Sequence, residues 1–320
     1  MNGFVLELDR AQTADLEDFR RAVLAGLSSR PRAIPPKFLY DARGSALFDK
    51  ICELPEYYLT RVETEILRTH AGEIAELAGA NSALIEFGSG SSVKSRLLLD
   101  AMDPAVYAPI DISREHLDRS MAQLQRDYPS LAIEAICADY MVLDDLPKLP
   151  FSSRRLGFFP GSSIGNLEPD EALAFFRKAR HLLGKEGALI LGVDLKKDPE
   201  RLHAAYNDSA GVTAAFTLNL LRRMNRELQA TFELDAFAHE AFYNSADGRI
   251  EIYFRSLRAQ SVTVAGRSFS FAEGERVHTE YSYKYDVPQL EAMSRQASFR
   301  LGRIWTDPDR QFAVAYLTPA

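Results

Sequence analysis

One stretch of this sequence constrains the fold more than any other. The apolar run Ala83–Phe87 stops at a Gly-Ser-Gly-Ser-Ser segment, residues 88–92, and a helical pattern begins at Val93. This pattern predicts a strand, a tight turn and a helix. Because glycine has no Cβ, Gly88 and Gly90 let the backbone bend sharply and let a ligand approach main-chain atoms at the carboxyl end of a buried strand. Such a turn is typical of nucleotide binding, and a purely structural glycine turn is the alternative.

The residues on either side of the turn narrow the choice of ligand. Val93 stands where the G-x-G-x-x-G pattern of dinucleotide-binding proteins has its last glycine, so a phosphate-cradling turn is disfavoured. Glu86, just before the turn, resembles the acidic entry E/D-x-G-x-G of S-adenosylmethionine-dependent methyltransferases. The turn therefore favours S-adenosylmethionine over a dinucleotide.

Strand and helix patterns alternate after the turn, which predicts an α/β fold with a doubly wound, mainly parallel sheet. Helices are predicted to begin at Val93, Arg114 and Pro169, and a closing helix is predicted at 288–297. The last two predicted strands form a hairpin, so the final strand runs antiparallel to the rest, as in a Rossmann-like class I methyltransferase sheet. The predicted strands are 84–87, 107–112, 132–138, 156–159, 188–194, 299–306 and 311–318.

Two regions depart from this alternation and predict a second domain. Beyond residue 195, a helical pattern at 211–228 and strand patterns at 249–260, 261–271 and 276–284 indicate an inserted α+β piece. We expect a methyltransferase domain made of 60–195 and 286–320, and a substrate-binding domain made of 1–59 and 196–285.

The N-terminal region contains two predicted helices, at 14–27 and 60–78. In the second, an amphipathic pattern places Glu63, Glu65 and Arg68 on the side that faces solvent. We therefore expect these three charged side chains to be hydrated.

Composition excludes several classes of function. The 320-residue chain has a net charge of −7 and no basic run, which argues against a nucleic-acid or anionic-membrane partner. Cys52 and Cys137 are far apart, and no apolar run approaches the roughly 18 residues of a membrane span. The six histidines are scattered without metal-binding spacing. We expect a cytoplasmic, metal-free monomer whose partner is a small molecule.

Polar residues follow the next predicted strands at the edge where ligands bind in such sheets. Asp111 follows the second strand and could accept hydrogen bonds from both ribose hydroxyls. Asp139 and Tyr140 follow the third strand and suit an adenine amino group and ring face. A solvated aspartate or a plain turn is the alternative for each position, but their occurrence at successive strand ends favours a binding site.

Five segments carry a closer resemblance to a known family. They are Tyr40-Asp-Ala-x-Gly-Ser, Leu54-Pro-Glu-Tyr-Tyr-x-Thr-Arg61, Glu86-x-Gly-Ser-Gly-Ser-x-x-Lys94, Gly161-Ser-x-Ile-Gly-Asn166 and Thr279-Glu-x-Ser-x-Lys-Tyr285. Together they resemble the histidine-specific Nα-methyltransferases of ergothioneine biosynthesis, over nearly the whole chain. The resemblance implies stepwise trimethylation of the α-amine of L-histidine to hercynine. It implies three S-adenosylmethionine molecules, S-adenosylhomocysteine as the product and no metal.

The resemblance also implies roles for individual residues. The cofactor would be lined by Tyr57, Gly88, Lys94, Asp111, Asp139 and Tyr140. The amino acid would be bound by Tyr40, Gly161, Asn166, Tyr206, Glu280 and Ser282, of which Tyr40 and Asn166 would be catalytic. Tyr206 rests on the shortest match, residues 205–208.

The chemistry of methyl transfer agrees with these side chains. Transfer from a sulfonium needs an in-line amine lone pair, so positioning supplies most of the acceleration. Tyr40 would offer a hydrogen-bond acceptor and cation–π stabilisation to a methylated ammonium, although a core aromatic is the alternative. Glu280 and Ser282 are two apart on a predicted strand and would face one side, matching the donor and acceptor nitrogens of an imidazole. An exposed edge strand is the alternative.

Two other functions stay open on the sequence. One is a methyltransferase of the same fold that acts on another aromatic amino acid or a small amine. The other is a non-catalytic S-adenosylmethionine-binding regulator, which would need no second pocket for a substrate.

Overall fold

The computed structural model describes residues 2–90, 93–149 and 154–320. Ser91 and Ser92 of the predicted glycine turn therefore lie outside the described residues. The chain divides into two compact units. Unit 1 comprises Met1–Phe48, Tyr206–Phe242 and Glu251–Glu280, and unit 2 comprises Asp49–Ala205, Tyr243–Ile250 and Tyr281–Ala320. The assignment of one predicted domain to the cofactor and the other to the substrate stays a prediction.

Helices and strands alternate along most of the described chain, with short 3₁₀ helices at Pro36–Leu39, Ser163–Asn166 and Leu234–Ala236. The longer elements in chain order are α1 (Asn2–Ser28), β1 (Arg32–Ala33), α2 (Ala42–Glu53), α3 (Tyr58–Ala78), β2 (Ala83–Phe87), α4 (Val93–Met102), β3 (Val106–Asp111), α5 (Arg114–Asp127), β4 (Ile136–Cys137), β5 (Arg155–Phe159), α6 (Pro169–Leu183), β6 (Ala188–Asp194), α7 (Pro199–Tyr206), α8 (Val212–Glu227), β7 (Phe237–Asn244), β8 (Arg249–Ser256), β9 (Gln260–Val264), β10 (Arg267–Phe271), β11 (Arg276–Tyr283), α9 (Val287–Gln296), β12 (Phe299–Thr306) and β13 (Phe312–Pro319).

Unit 2 contains the predicted sheet. Its seven strands have the order β12-β13-β6-β5-β2-β3-β4. Strands β2 to β6 pair in parallel, whereas β13 pairs antiparallel with both β6 and β12. The predicted α/β fold and its antiparallel closing hairpin are confirmed. From β2 the chain builds outward first to β3 and β4 and then, on the other side, to β5 and β6, so the topological switch point lies between β2 and β5.

The central strands of the unit 2 sheet are continuous apolar runs because they lie in the core. Every residue of β2 and β6 is buried, as expected of parallel strands covered on both faces. Aromatic rings of β2, β5 and α6 pack together beneath the carboxyl end of the sheet: the ring centroids of Phe159 and Phe175 are 4.2 Å apart, and those of Phe87 and Phe175 are 5.4 Å apart. This packing holds the ends of neighbouring strands in fixed positions.

Unit 1 contains α1, α8 and most of a second sheet with the strand order β1-β11-β8-β7. Phe237, Phe254 and Phe271 form its aromatic core with Phe232, with ring centroids between 5.4 and 6.3 Å apart. The prediction of one strand at 261–271 is wrong, because β9 and β10 form an antiparallel hairpin. Its turn residues Ala265 and Gly266 both have positive φ angles, +47° and +78°, as a tight hairpin turn requires.

Other sequence predictions differ from the structure only locally. The strand predicted at 132–138 is reduced to Ile136–Cys137 and an isolated bridge between Ile133 and Tyr107. It lies at the edge of the sheet, where only one neighbour can pair with it. The sequence pattern does not predict strand β7, because its apolar and polar residues alternate irregularly.

Candidate active site

The turn after β2 leaves space on its outer side. Gly88 and Gly90 have φ angles of +76° and +48°, and the amide of Gly88 donates to the carbonyl of Ile110 at 2.8 Å. A Cβ built on Gly90 would meet nothing within 4 Å. The hydroxyl of Ser89 is buried and has no hydrogen-bond partner among the described residues. An open approach to the backbone and an unsatisfied hydroxyl are features that fit a bound ligand.

Asp111, the last residue of β3, lies beside this turn. Its Oδ2 accepts a hydrogen bond from the Gly90 amide at 3.1 Å, and its Oδ1 accepts one from the Ser113 amide at 2.9 Å. Each carboxylate oxygen has a second lone pair, so both can still accept a hydroxyl from a ligand. The two backbone bonds fix the orientation of the carboxylate, which fits the predicted contact with a ribose.

Asp139 and Tyr140 follow β4 at the same edge. Oδ1 of Asp139 accepts a hydrogen bond from the Met141 amide at 2.9 Å. The ring of Tyr140 packs 5.4 Å from that of Phe159, and its Cε1 would lie 3.9 Å from a Cβ on Gly88. Burial raises the pKa of Tyr140, so its hydroxyl stays protonated. The ring thus forms an apolar wall beside the glycine turn, where an adenine face was predicted.

Glu86 does not face the turn. Its carboxyl group is buried inside β2, where it accepts hydrogen bonds from the Ser95 hydroxyl of α4 at 2.5 Å and from the Tyr107 hydroxyl of β3. Burial raises the pKa of Glu86 to about 7, although the bonds from Ser95 and Tyr107 act in the opposite direction. Glu86 therefore links β2 to α4 and to β3 through hydrogen bonds just before the turn.

The prediction for Glu63 is wrong. The helical pattern places it on the solvent side of α3, but in the structure it is 0% exposed. Its two carboxylate oxygens accept the Gly161 amide at 3.0 and 2.9 Å, and the ammonium of Lys94 donates to it. A Cβ on Gly192 of β6 would come within 2.0 Å of Oε1 of Glu63, so only glycine leaves room for this carboxylate. The glycine at position 192, inside the buried strand β6, is the sequence signal for space that the buried acid fills.

Lys94, predicted beside the cofactor, is thus paired with a protein carboxylate. It lies one turn into α4, and its side chain is 16% exposed. Its Nζ would lie 3.4 Å from a Cβ on Gly161. The pair with Glu63 joins the starts of two helices and the end of β5. Whether the remaining donor hydrogens of Lys94 serve the cofactor stays a prediction.

The loop after β5 contains Gly161 and Asn166, both predicted to bind the amino acid. Gly161 has a φ of +75° and Ser162 one of +59°, and the hydroxyl of Ser162 accepts the amide of Asp194 at 2.9 Å. A Cβ on Gly165 would lie 2.7 Å from the carbonyl oxygen of Tyr283. Asn166 ends the 3₁₀ helix of the loop and is half-buried. Contacts within the protein therefore hold this loop at Gly161, Ser162 and Gly165.

Tyr57 is placed by the segment that precedes α3. The guanidinium of Arg61 donates to the carbonyls of Leu54 and Pro55, both at 2.7 Å, and so closes the loop onto the first turn of the helix. Tyr57 caps this helix and is 7% exposed. The contact of Tyr57 with the cofactor stays a prediction.

In unit 1, Tyr40 is held between aromatic rings. Its centroid lies 5.6 Å from that of Phe48 and 5.3 Å from that of Phe216, both in edge-on arrangements. The next residue, Asp41, accepts hydrogen bonds from the Gly44 amide at 2.8 Å and from the Asn219 side chain at 2.7 Å. Tyr40 is half-buried, and the Asp41 contacts explain why an acid follows it.

Tyr206, the last residue of α7, is 7% exposed. Its carbonyl is 2.9 Å from Nε2 of His239, and Asp208 accepts the amides of Val212 and Thr213, both at 2.8 Å, at the start of α8. The short match at residues 205–208 therefore connects two helices, and Asp208 binds the first amides of the second helix.

Glu280 and Ser282 lie on β11 and are 8% and 4% exposed. Strand β11 lies between β1, which pairs with it at Val277 and His278, and β8. Because both side chains are buried, the alternative of polar residues on the solvent face of an exposed edge strand is wrong. Since side chains two residues apart on a strand project to the same face, the carboxylate and the hydroxyl share one buried face of β11.

Among residues 2–90, 93–149 and 154–320, no group of three or more His, Cys, Asp and Glu side chains is placed to hold a metal ion. In the same part of the chain, no helix is both long and apolar enough to cross a membrane.

A parallel sheet with a glycine turn at its switch point, acidic residues after the next two strands and an antiparallel closing strand defines an S-adenosylmethionine-dependent methyltransferase of class I. The chain belongs to the family of histidine-specific, S-adenosylmethionine-dependent methyltransferases, whose family model matches residues 19–319.

Curated relatives extend this result. The chain is 45% identical to a histidine N-alpha-methyltransferase of Mycolicibacterium smegmatis, with 93% of this chain and 94% of the relative covered. It is 40% identical to a histidine N-alpha-methyltransferase of Mycobacterium tuberculosis, with 92% and 93% covered. It is 32% identical to ergothioneine biosynthesis protein 1 of Neurospora crassa, with 93% of this chain but 36% of that longer protein covered.

Proposed function

We propose that this protein transfers methyl groups from S-adenosylmethionine to the α-amino group of L-histidine, three times in succession, to give hercynine in ergothioneine biosynthesis. The observation that supports this substrate most directly is the buried pair Glu280 and Ser282 on one face of β11. A carboxylate accepts only, and a hydroxyl can donate, so the pair matches the N–H and the bare nitrogen of a neutral imidazole.

The cofactor supplies an electrophilic methyl group on its sulfonium. We assign its binding to Tyr57, Gly88, Lys94, Asp111, Asp139 and Tyr140, all in unit 2. Asp111 accepts the ribose hydroxyls, Tyr140 packs against the adenine, and the glycine turn admits the cofactor to the backbone. The ring of Tyr140 and the apolar core below it exclude water from one side.

We assign the binding of the amino acid to Tyr40, Gly161, Asn166, Tyr206, Glu280 and Ser282. Tyr40 and Asn166 orient the α-amine so that its lone pair points at the methyl group, and the ring of Tyr40 stabilises the ammonium that each transfer produces. Since positioning is the main source of acceleration, the residues need no metal.

We also propose that the protein acts as a cytoplasmic monomer without a nucleic-acid or membrane partner. The net charge of −7 and the absence of a basic run in the sequence support this proposal.

The test of the substrate is incubation of the protein with S-adenosylmethionine and each of the twenty amino acids, followed by mass spectrometry. We expect gains of one, two and three methyl groups on histidine. Methylation of another aromatic amino acid instead would support the same fold with a different substrate. Cofactor binding without any methylated product would support a regulator.

The test of the pocket compares Glu280→Ala with Glu273→Ala, an exposed acid that precedes the same strand. We expect Glu280→Ala to lower kcat/KM for histidine by a large factor, up to about 10⁴-fold, because a site built around a polar partner discriminates strongly. Affinity for S-adenosylhomocysteine should change far less. An unchanged preference for histidine over tyrosine and tryptophan in Glu280→Ala would remove Glu280 from the imidazole.

A further inference from the structure

An ion pair at the switch point of the unit 2 sheet joins a fully buried acid to a partly exposed base. The side chain of Glu63 is 0% exposed, and that of Lys94 is 16% exposed. The Lys94 ammonium donates to Oε2 of Glu63, and the Gly161 amide donates to both carboxylate oxygens at 3.0 and 2.9 Å. All three residues belong to unit 2. We call the first two residues the Glu63–Lys94 pair.

Stability alone does not explain the Glu63–Lys94 pair. Two charges lose their hydration when they are buried, and apolar side chains of similar volume often give equal or greater stability. The fold nevertheless keeps space for this acid, because a Cβ on Gly192 of β6 would lie 2.0 Å from Oε1 of Glu63. A buried acid that is held so closely fits a role in placing its partner.

The two members of the pair differ in their access to a ligand. Glu63 is fully buried and cannot touch one, whereas part of Lys94 reaches the surface. Nζ of Lys94 would lie 3.4 Å from a Cβ on Gly161, beside the loop after β5. An ammonium carries three donor hydrogens and no acceptor, and Glu63 takes one of them. Lys94 can therefore bind Glu63 and a ligand at the same time.

The glycine turn after β2 has a cation and an anion near it. Lys94 is the second residue of α4, which follows the turn, and Asp111 accepts the Gly90 amide at 3.1 Å. Both charges act on the buried Glu86 carboxyl: burial raises its pKa to about 7, Lys94 opposes this shift, and Asp111 adds to it. Asp111 suits the hydroxyl groups of a ligand at this turn, and Lys94 suits its carboxylate.

Lys94 needs an internal partner to stay in this place. A lysine has a flexible four-carbon stem and a strongly hydrated ammonium, so a partly exposed lysine tends to turn its charge toward water. Glu63 holds the ammonium beside Gly161, and the Gly161 amide in turn holds both oxygens of Glu63. The ammonium is thus oriented before a ligand arrives, which reduces the conformational entropy lost on binding.

We propose that Glu63 is a positioning residue for the cofactor: it holds the Lys94 ammonium where Lys94 binds the carboxylate at the amino-acid end of S-adenosylmethionine. The inference rests on the proposed function, which assigns Lys94 to the cofactor. Glu63 itself touches no ligand. It acts through Lys94, and it therefore affects the binding of the cofactor carboxylate and not that of the adenosine.

The first test uses the unaltered protein and calorimetric titration with two ligands. One is S-adenosylhomocysteine, and the other is its decarboxylated analogue, which keeps the adenosine, the thioether and the ammonium. We call the dissociation constant of the analogue divided by that of S-adenosylhomocysteine the carboxylate ratio. Loss of a hydrogen bond between charged groups weakens binding about 10- to 100-fold, so we expect a ratio of this size. A ratio near one would overturn the inference.

The second test measures the carboxylate ratio in Lys94→Met, Glu63→Met and Glu65→Met. We expect the ratio to fall toward one in the first two variants, while the affinity for the decarboxylated analogue changes little. Glu65→Met, an exposed acid on the same helix, should keep the ratio of the unaltered protein. General damage to the site would weaken both ligands alike. An unchanged ratio in Glu63→Met would therefore contradict the inference.

The double variant Glu63→Met with Lys94→Met shows whether Glu63 acts through Lys94. Replacement of both partners by apolar side chains leaves no unpaired buried charge, so this variant should unfold at a higher temperature than Glu63→Met alone. Its carboxylate ratio should equal that of Lys94→Met. A further fall of the ratio would mean that Glu63 acts independently of Lys94, and the inference would be wrong.

Glu63→Asp separates the position of the ammonium from its charge balance. The shorter side chain keeps the negative charge but withdraws it from Lys94 by one methylene, so the carboxylate ratio should fall here too. A ratio equal to that of the unaltered protein would show that charge alone matters. A rise of the ratio in Glu63→Met would show that Glu63 competes with the cofactor for Lys94. Either result would overturn the inference.

Failure of the inference and failure of the proposed function give different results. If the unaltered protein bound no S-adenosylhomocysteine, the proposed function would fall together with the inference. Binding of S-adenosylhomocysteine with a carboxylate ratio near one would overturn the inference alone. Binding with the expected ratio but without methylation of histidine would remove the proposed substrate and support the role of Glu63.

Discussion

Two glycine-containing segments at the same edge of the unit 2 sheet serve opposite purposes. After β2, a Cβ on Gly90 would meet nothing within 4 Å, and the nearest atom to one on Gly88 would be 3.9 Å away. After β5, a Cβ on Gly165 would lie 2.7 Å from the backbone of Tyr283, and Gly161 is bound by Glu63. The space beside the glycines of the first turn is open, whereas the protein itself fills the space beside those of the second.

This contrast teaches that sequence similarity between glycine-rich segments does not imply the same physical role. Beside the turn after β2, the buried Ser89 hydroxyl has no hydrogen-bond partner among the described residues, and the half-buried Asp111 accepts the Gly90 amide. In the loop after β5, the Glu63 carboxylate accepts the Gly161 amide, and the Asp194 amide donates to the Ser162 hydroxyl. Substitutions in the first should therefore affect cofactor affinity, and substitutions around the second should affect stability.

The largest effect is expected for Glu63→Ala. Removing one partner of a buried ion pair costs about 3–5 kcal/mol, since Lys94 and the Gly161 amide lose their acceptor. The matched control is Glu65→Ala on the same helix, whose pair with Arg68 is exposed and contributes about 0–1 kcal/mol. Urea unfolding measures both. Equal losses of unfolding free energy would show that the loop after β5 does not depend on its buried acid.

Glu86→Gln tests the strand below the open turn. Because burial raises the Glu86 pKa from 4.5 to about 7, the protonated folded form is favoured. The contribution of this protonation to the free energy of unfolding is fully present below pH 4.5 and is lost as the pH rises to about 7. The loss is on the order of 3 kcal/mol.

Glutamine stays neutral and retains an acceptor for Ser95 and Tyr107, so Glu86→Gln should lack this fall. The difference in unfolding free energy between the two proteins, measured from pH 4.5 to 8, is the readout. A difference that does not change with pH would mean that Glu86 is ionised in the fold.

Asp111→Ala addresses the ligand side of the comparison. Losing a hydrogen bond to a charged group costs about 1.5–3 kcal/mol, so affinity for S-adenosylhomocysteine should fall at least tenfold in calorimetric titration. Asp118→Ala, an exposed acid on the helix that follows, is the control. Unchanged affinity in Asp111→Ala would place the ribose elsewhere.

The smallest effects come from the glycines themselves. Gly165→Ala pushes a methyl group against the Tyr283 backbone and should lower stability by about 1–3 kcal/mol. Gly90→Ala meets no atom and should lower stability by only about 1 kcal/mol, through its positive φ. We expect Gly90→Ala to weaken S-adenosylhomocysteine binding more than Gly165→Ala does. We also expect Gly90→Ala to lower the free energy of unfolding less than Gly165→Ala does. The reverse order in either measurement would contradict the proposed difference between the turn after β2 and the loop after β5.

Local patterns predicted the regular elements well. Strand β6 has the predicted bounds, and α6 begins at the predicted Pro169, where a capping box formed by Glu168 and Glu171 starts the helix. The hairpin of β9 and β10 was read as a single strand, because its turn depends on a positive φ at Ala265, a residue type that rarely adopts one. The positions of Asp111 and Tyr140 at strand ends also followed from the pattern alone.

The sequence by itself determined the order of strands and helices, the glycine turn and the acids at the strand ends, since these depend on short-range periodicity and on residues close in the chain. Only the tertiary structure decided that Glu63 is buried and that Lys284 binds both Asp194 and Ser282. Helical periodicity places Glu63 with solvent-facing residues. Its burial depends on the space that Gly192 leaves on another element and on a cation and an amide brought to it by the fold, which no local pattern encodes.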